Sequence, residues 1–281
     1  MENPKIDSES ILKNLATNAL PRTVSCYDQV SSTMDIARER LQTANLADLP
    51  LLVLAEEQTA GRGRLGRTWV APAGSSLLFS LALRPNWLAP AHAPALIWWA
   101  SVALCEGIAD SLGIQPRLKW PNDVLIDVDA QWCKVAGILV ELSSNEQGIE
   151  RAIIGCGLNV STSPPANLPL RYPATHLQVA FGQQISRLTL LQSILRRLDH
   201  WYLRLQNGEK EQLFQTWQSL LITLGQDIEV NVANKVLKGR AEAVDASGTL
   251  FLRDENNYLH SISSGDVASL GYEMNEKRGN E

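Results

Sequence analysis

The chain has 281 residues, 45% hydrophobic and 20% charged, enough to bury a full core and of a length that suits one large domain with a smaller one, although two similar domains also fit. A formal net charge of −5 gives the whole molecule no electrostatic preference for nucleic acid or an anionic membrane, so any basic site must be local. Cys26, Cys105, Cys133 and Cys156 lie far apart with no CxxC pair, which excludes a disulfide framework and reads as buried thiols; an acidic N-terminus without an apolar run argues for a cytoplasmic protein.

Residues 1–21 hold one short helical pattern, "SESILKNLAT", with Ser8 or Ser10 as its cap and Pro21 as its stop. That extension is too small for a separate DNA-binding domain. "SSTMDIARERLQTA" reads as a capped helix, "LLVLAEE" as a buried strand, and "SSLLFSLALRP" as a strand ended by Pro85. A largely buried helix spans residues 93–112 and stops at Gly113. Its most apolar part, "ALIWWASVAL", is half of the roughly 20 residues that a membrane span needs.

"PRLKW", "VLIDV", "KVAGILVEL" and "ERAIIGCGLNV" are four strand-like runs with turns at "PND" and "DVDAQW", most economically a mixed sheet with helices on one side. Two helices follow, "ISRLTLLQSILRRLDHWYLRLQNG" and "KEQLFQTWQSLL", punctuated by Gly208. After Gly225 the period changes: "DIEVNV", "VLKGRAEAV", "TLFLRD" and "YLHSIS", with turns at "ASG" and "ENN", are spaced as in a small antiparallel barrel. The expected division is an extension over 1–21, a large domain over 22–223, a barrel over 224–271 and a solvated tail over 272–281.

"AEEQTAGRGRLGRTW", residues 55–69, concentrates the chemistry. Gly61, Gly63 and Gly66 spell GxGxxG, but "RTWVAPAGSS" follows where a dinucleotide fold would open a helix, and no Gly-Lys-Ser/Thr ending makes a P-loop. Arg62, Arg64 and Arg67 put three permanent charges on a glycine-loosened segment. Two such charges about 4 Å apart repel by roughly 4 kcal/mol at an effective dielectric of about 20, so the loop is expected to order around a phosphate or carboxylate. A solvated basic turn is the alternative.

The loop resembles the signature segment of biotin protein ligases, and four further segments resemble that family in its order: "SSTMD", "KWPND", "KVAGILVEL" and "GCGLNV", followed by the terminal barrel. The resemblance covers about residues 24–270. It implies an α+β fold of the class II aminoacyl-tRNA synthetase-like, biotin-lipoate ligase type, in which a mixed β-sheet packs with helices, plus an SH3-like barrel, in the form without an N-terminal DNA-binding domain. It implies a reaction in which ATP activates biotin as biotinyl-5′-AMP, with Mg²⁺ sharing the neutralisation of two anions, before the biotinyl group passes to a lysine. The acceptor would be a biotin carboxyl carrier protein, the biotinyl domain of acetyl-CoA carboxylase. No DNA or membrane partner is expected, and the ligase would be a monomer or homodimer.

By the same resemblance Lys119, Arg64 and Arg67 are catalytic, and Ser32, Thr33, Gln58, Gly61, Arg62, Arg64, Lys119, Gly137 and Gly155 hold biotin. ATP would meet Arg64, Arg67, Trp69, Asn122, Lys119 and Asn159, with Asp123 as a metal ligand. Several of these have ordinary readings too. Lys119 ends a strand before Pro121 and could reach the sheet edge or merely snorkel. Asn122 and Asp123 suit a plain turn, Gly155 and Gly157 a bulge, Trp69 a core anchor, and Ser32 with Asp35 a helix N-cap. Met34 stands where the family usually has Asn, which alters the hydrogen bonding at that corner. A lipoate-type ligase and an RNA-binding module are the rival functions; the acidic balance and absence of clustered aromatics weigh against RNA.

Overall fold

A computed structural model describes residues 5–164, 173–232 and 235–270. The expected tail over 272–281 and the first four residues lie outside the described residues. The first helix, α1 (Ser8–Leu12), is capped by neither expected serine: Asp7 Oδ1 accepts from the Ser10 amide at 2.7 Å. It ends well before Pro21, and the chain beyond it is held by Asp199, whose carboxylate accepts the amides of Asn18, Ala19 and Leu20. Ile6, Ile11, Leu15 and Leu20 are buried in the main core, so this segment is an integral part of the large domain.

Then come β1 (Thr23–Val30), α2 (Thr33–Thr43), β2 (Leu51–Gln58), β3 (Ser76–Leu83) and α3 (Ala95–Leu112), followed by β4 (Arg117–Lys119), β5 (Asp123–Val128), β6 (Gln131–Asn145) and β7 (Gly148–Asn159). The seven strands form one sheet in the order β1-β2-β3-β7-β6-β5-β4, with β1 and β2 parallel and the other pairs antiparallel. The large domain closes with α4 (Leu177–Phe181), α5 (Arg187–Gln206) and α6 (Lys210–Leu220).

The expectation of helices on one side only is corrected. β2 is buried on both faces; Leu52 and Leu54 join the core under α3 and α5, whereas Leu51 and Val53 pack against Met34, Ala37 and Leu41 of α2. A strand apolar on both sides needs a cover on both sides, and α2 supplies the second. α3 and α5 approach so closely that a Cβ on Gly107 would fall 2.6 Å from the Ile194 backbone. The segment Pro90–Leu112 is long and apolar enough to cross a bilayer, more than "ALIWWASVAL" alone suggested, but two-thirds of its apolar window is buried inside the protein. Its Trp98 and Trp99 are core residues, and Trp99 Nε1 donates to the Leu198 carbonyl at 2.8 Å.

The small domain is an antiparallel sheet of β8 (Asp227–Val232), β9 (Lys235–Val244), β10 (Leu250–Arg253), β11 (Leu259–Ile262) and β12 (Asp266–Leu270), in the order β11-β10-β9-β8-β12. Positive φ at Gly248 and Asn257 makes the two expected turns. Trp120 ties the domains together, its indole Nε1 donating to the Gly248 carbonyl at 2.9 Å, while its backbone amide donates to Thr223 Oγ1 at the junction, also at 2.9 Å. All four cysteines are free thiols; burial pushes Cys26 up to about 11 and Cys105 and Cys156 higher still, so none is a ready nucleophile.

Candidate active site

A cleft opens above the middle of the large sheet, between the start of α2, the 61–70 loop, the β4–β5 turn and the barrel. Its floor is glycine. Gly137 on β6 pairs in register with Gly157 on β7, and the Trp69 indole lies on both: a Cβ at Gly137 would come 3.2 Å from the ring, and one at Gly157 would penetrate it. Gly155 carries Met34, with Sδ only 2.6 Å from where its Cβ would be. The glycines therefore serve close approach, and bulk at these positions would expel the side chains lying on them.

One end of the cleft is polar and neutral. Thr33 donates its amide (2.8 Å) and hydroxyl (3.1 Å) to Gln58 Oε1, and its Oγ1 lies 2.8 Å from Ser80 Oγ. With Oε1 occupied, the donor end of the Gln58 amide is left beside Gly61, where an added Cβ would meet Nε2 at 3.1 Å. Ser32 stands at the N-cap position of α2, but its hydroxyl makes no cap bond. Met34 is buried on the sheet, so the hydrogen-bonding groups of this corner are Ser32, Thr33 and Gln58.

The glycine-arginine loop closes on itself, Trp69 N to Gly61 O at 2.9 Å and Gly63 N to Arg67 O at 2.7 Å, with Leu65 and Gly66 in the left-handed region. Its guanidinium groups each take a separate protein partner. Arg62 reaches Asp35 and Glu141; Arg64 donates to Asn122 Oδ1 at 3.0 Å and the Gly265 carbonyl at 3.3 Å; Arg67 grips Asp266 of the barrel with two nitrogens. Like charges on seven residues separate because each finds its own partner on a different wall. Burial pulls the Arg64 pKa down despite Asp123 and Asp266 nearby, while the hydrogen bond to Asp266 pushes Arg67 up.

Lys119 is brought to the cleft wall, but it is only 3% exposed, donating to the Val267 carbonyl at 2.9 Å and lying 3.3 Å from Asp123 Oδ2. Lys134 lines the cleft as well and is the more exposed of the two, at 26%, with Nζ 2.6 Å from Asp123 Oδ1 and 5.8 Å from the centre of the Trp69 ring. Sequence reasoning missed it, although it stands three residues before Gly137 in "KVAGILVEL". It also missed Asp266, which no local pattern marks.

Asp123 does not fit a metal site. Both carboxylate oxygens face an ammonium group, and no group of three or more His, Cys, Asp or Glu is close enough to hold a metal among the described residues. Burial alone would raise the Asp123 pKa, but Lys134 and Lys119 together hold it below the usual carboxylate value. Asn122 is used at both ends, its Nδ2 donating to the Ile138 carbonyl at 2.7 Å, and Asn159 Nδ2 donates to the Thr175 carbonyl at 3.0 Å. Trp69 Nε1 is buried without a hydrogen-bond partner. Arg62, Arg64, Arg67, Lys119 and Lys134 line the cleft with Asp123 and Asp266, five positive charges against two negative. Within a protein of net charge −5, this cleft is built for an anion.

Comparison with known proteins agrees with that chemistry. Residues 26–159 match the Biotin/lipoate A/B protein ligase family, and residues 223–269 match the Biotin protein ligase C terminal domain. The chain is 33% identical over 265 residues to the bifunctional ligase/repressor BirA of Bacillus subtilis, covering 94% of this chain and 79% of that protein. It is 35% identical over 205 residues to the biotin–[acetyl-CoA-carboxylase] ligase of Paracoccus denitrificans, covering 72% and 83%. The structure of the Aquifex aeolicus biotin protein ligase in complex with biotin and ATP superposes with a TM-score of 0.71 at 26% identity, covering 88% of this chain and 98% of that one. On its sequence, its two domains and its cleft, the chain belongs to the biotin protein ligase family.

Proposed function

We propose that this chain activates biotin with ATP and transfers the biotinyl group to a lysine of a biotin carboxyl carrier domain. The observation that carries the reading is the set of groups that share one cleft: a hydrogen-bonding corner at Thr33 and Gln58, a cluster of cations, and the indole of Trp69. That set suits a neutral polar ring, a carboxylate meeting a phosphate, and a flat base. The names of the relatives, and the biotin and ATP of the Aquifex complex, support it.

In the first step a carboxylate oxygen of biotin attacks the α-phosphorus of ATP and pyrophosphate leaves, giving biotinyl-5′-AMP. Two anions must meet, so the chain's contribution is positioning and charge. Lys134, already facing the cleft, is the ammonium that meets both; Lys119, held by Val267 and Asp123, is a positioning residue that keeps Asp123 ionised. Arg64 and Arg67 hold phosphate oxygens after exchanging their protein partners. In the second step the neutral amine of the acceptor lysine attacks the acyl carbon and AMP leaves, with the 61–69 loop excluding water from the mixed anhydride.

The test is intact mass spectrometry of a biotin acceptor domain after incubation with this protein, ATP, Mg²⁺ and equal biotin and lipoate. An ATP-dependent biotinyl adduct is the expected result. A lipoyl adduct moves the assignment to the sister activity, and no adduct from folded protein overturns both.

A further inference from the structure

Arg62 lines the cleft with the other arginines of its loop but takes its partners from α2 and β6. It completes a closed ring of four alternating charges. Arg62 Nη1 lies 2.9 Å from Asp35 Oδ1 and its Nη2 3.4 Å from Glu141 Oε1, while Arg38 Nη1 lies 2.6 Å from the same Asp35 oxygen and its Nη2 bonds Glu141 Oε2. Each cation touches both anions, and the ring is neutral. It joins three separate elements: the root of the loop, the first two turns of α2, and the middle of β6, which are three of the walls around the cleft.

The position of Arg62 gives the ring leverage. Residues 61–69 form a clasp whose base is the pair of Gly61 and Trp69, and Arg62 bridges Thr68 just inside that base. Gly61 packs against the Trp69 carbonyl with no space for a side chain, so the base moves as one body. Whatever fixes Arg62 therefore fixes where the clasp, and the indole at its end, stand over Gly137 and Gly157.

We propose that Asp35 and Glu141 act with Arg62 as a charge clamp that holds the glycine-arginine loop over the cleft and sets how long an activated intermediate is retained. Asp35 and Glu141 are positioning residues in this scheme, acting on the ligand only through the loop. The retention part rests on the ligase reading above, whereas the clamp itself does not. Every member of the ring is a little over a third exposed, so the clamp is open to salt: charges this exposed weaken as the screening length falls from about 10 Å at 0.1 M to about 3 Å at 1 M. Arg38 adds a sign test. It competes with Arg62 for both carboxylates, so its removal leaves them to Arg62 alone.

Two measurements on the full chain test this. In limited trypsin digestion without ligands, followed by mass spectrometry at Arg62, Arg64 and Arg67, the Asp35→Asn/Glu141→Gln variant is expected to be cut about fivefold faster than wild type at low salt, with the difference vanishing in 1 M NaCl. Arg38→Gln is expected to be cut no faster than wild type. Equal cleavage of wild type and the double variant, or acceleration by Arg38→Gln, overturns the clamp.

The second measurement forms the adenylate from biotin and α-labelled ATP and follows its loss after a chase with unlabelled biotin. The double variant is expected to form it at the wild-type rate and lose it about fivefold faster, again only at low salt. Faster cleavage with unchanged loss overturns the link to retention. A wild-type chain that forms no adenylate fails the ligase reading instead, and the digestion still decides the clamp.

Discussion

Asp123→Asn removes one charge at almost constant volume from a carboxylate that separates two ammonium groups. At 2.6 Å from Lys134 and 3.3 Å from Lys119, its gross Coulomb attractions are about 6 and about 5 kcal/mol at an effective dielectric of about 20. Most of that is offset by the desolvation of groups as buried as Lys119, and removing one partner of such an ion pair typically costs about 3 kcal/mol net. Spread over the unfolding entropy of a chain of this length, this corresponds to a Tm lower by about 5 °C. The assay is calorimetry with and without pyrophosphate, a plain anion that can stand between the two lysines. The variant is expected to lose about 5 °C alone and to gain more from pyrophosphate than wild type does, because the anion replaces the missing charge. A Tm within 1 °C of wild type, or equal pyrophosphate shifts in both proteins, refutes the argument that Asp123 holds the lysines in place of a substrate anion.

The two lysines are expected to separate. Both variants should lower Tm, since each strips a partner from Asp123, but Lys134→Ala should also lower pyrophosphate release on the order of 10²-fold or more, whereas Lys119→Ala should lower it much less; a larger loss of pyrophosphate release in Lys119→Ala, read by a phosphate-coupled assay beside calorimetry, returns the direct role to Lys119. Gly157→Ala should displace Trp69 and raise KM for ATP about tenfold, an effect that adds little to that of Trp69→Ala in a double-mutant cycle; full additivity would mean that the indole does not lie where the glycine lets it. Acid stability should fall in two windows. Burial holds the His176 pKa below its ordinary value, so its contribution is full above about pH 6.5 and is lost as pH falls from there. The depressed Asp123 carboxyl contributes above about pH 4 and is lost as pH falls through its folded value. Tm profiles in which His176→Gln leaves the first window in place, or Asp123→Asn the second, contradict those assignments.

Much of the architecture was legible because it rests on local rules. The 3.6-residue period of α5, the apolar run of α3 closed by a left-handed Gly113, and the short alternating strands after Gly225 each announce their element within a dozen residues. β1 and β12 escaped notice. β1 is an edge strand, half-buried along "TVSCYDQV" with no clean alternation, and β12 is five residues long. The cap of α1 was misread because Asp7 and Ser10 each satisfy the other's backbone, which spacing alone does not distinguish from a serine cap.

By itself, the sequence determined the family, the fold class, the division into a large α+β domain and a small barrel, and the loop and strands that line the cleft. The family comes from the resemblance that the short motifs carry, and the elements from periodicity and turn residues, in which neighbours in the chain are neighbours in space. The tertiary structure alone decided which charged groups meet. Lys134 faces the cleft because a strand aims it there; Arg67 meets Asp266 and Lys119 meets Val267 only because the barrel docks on the cleft; and Arg62 closes a ring with Asp35, Arg38 and Glu141 across three elements. A residue type announces its charge in the sequence, but the distance that gives the charge its energy exists only once the chain has folded.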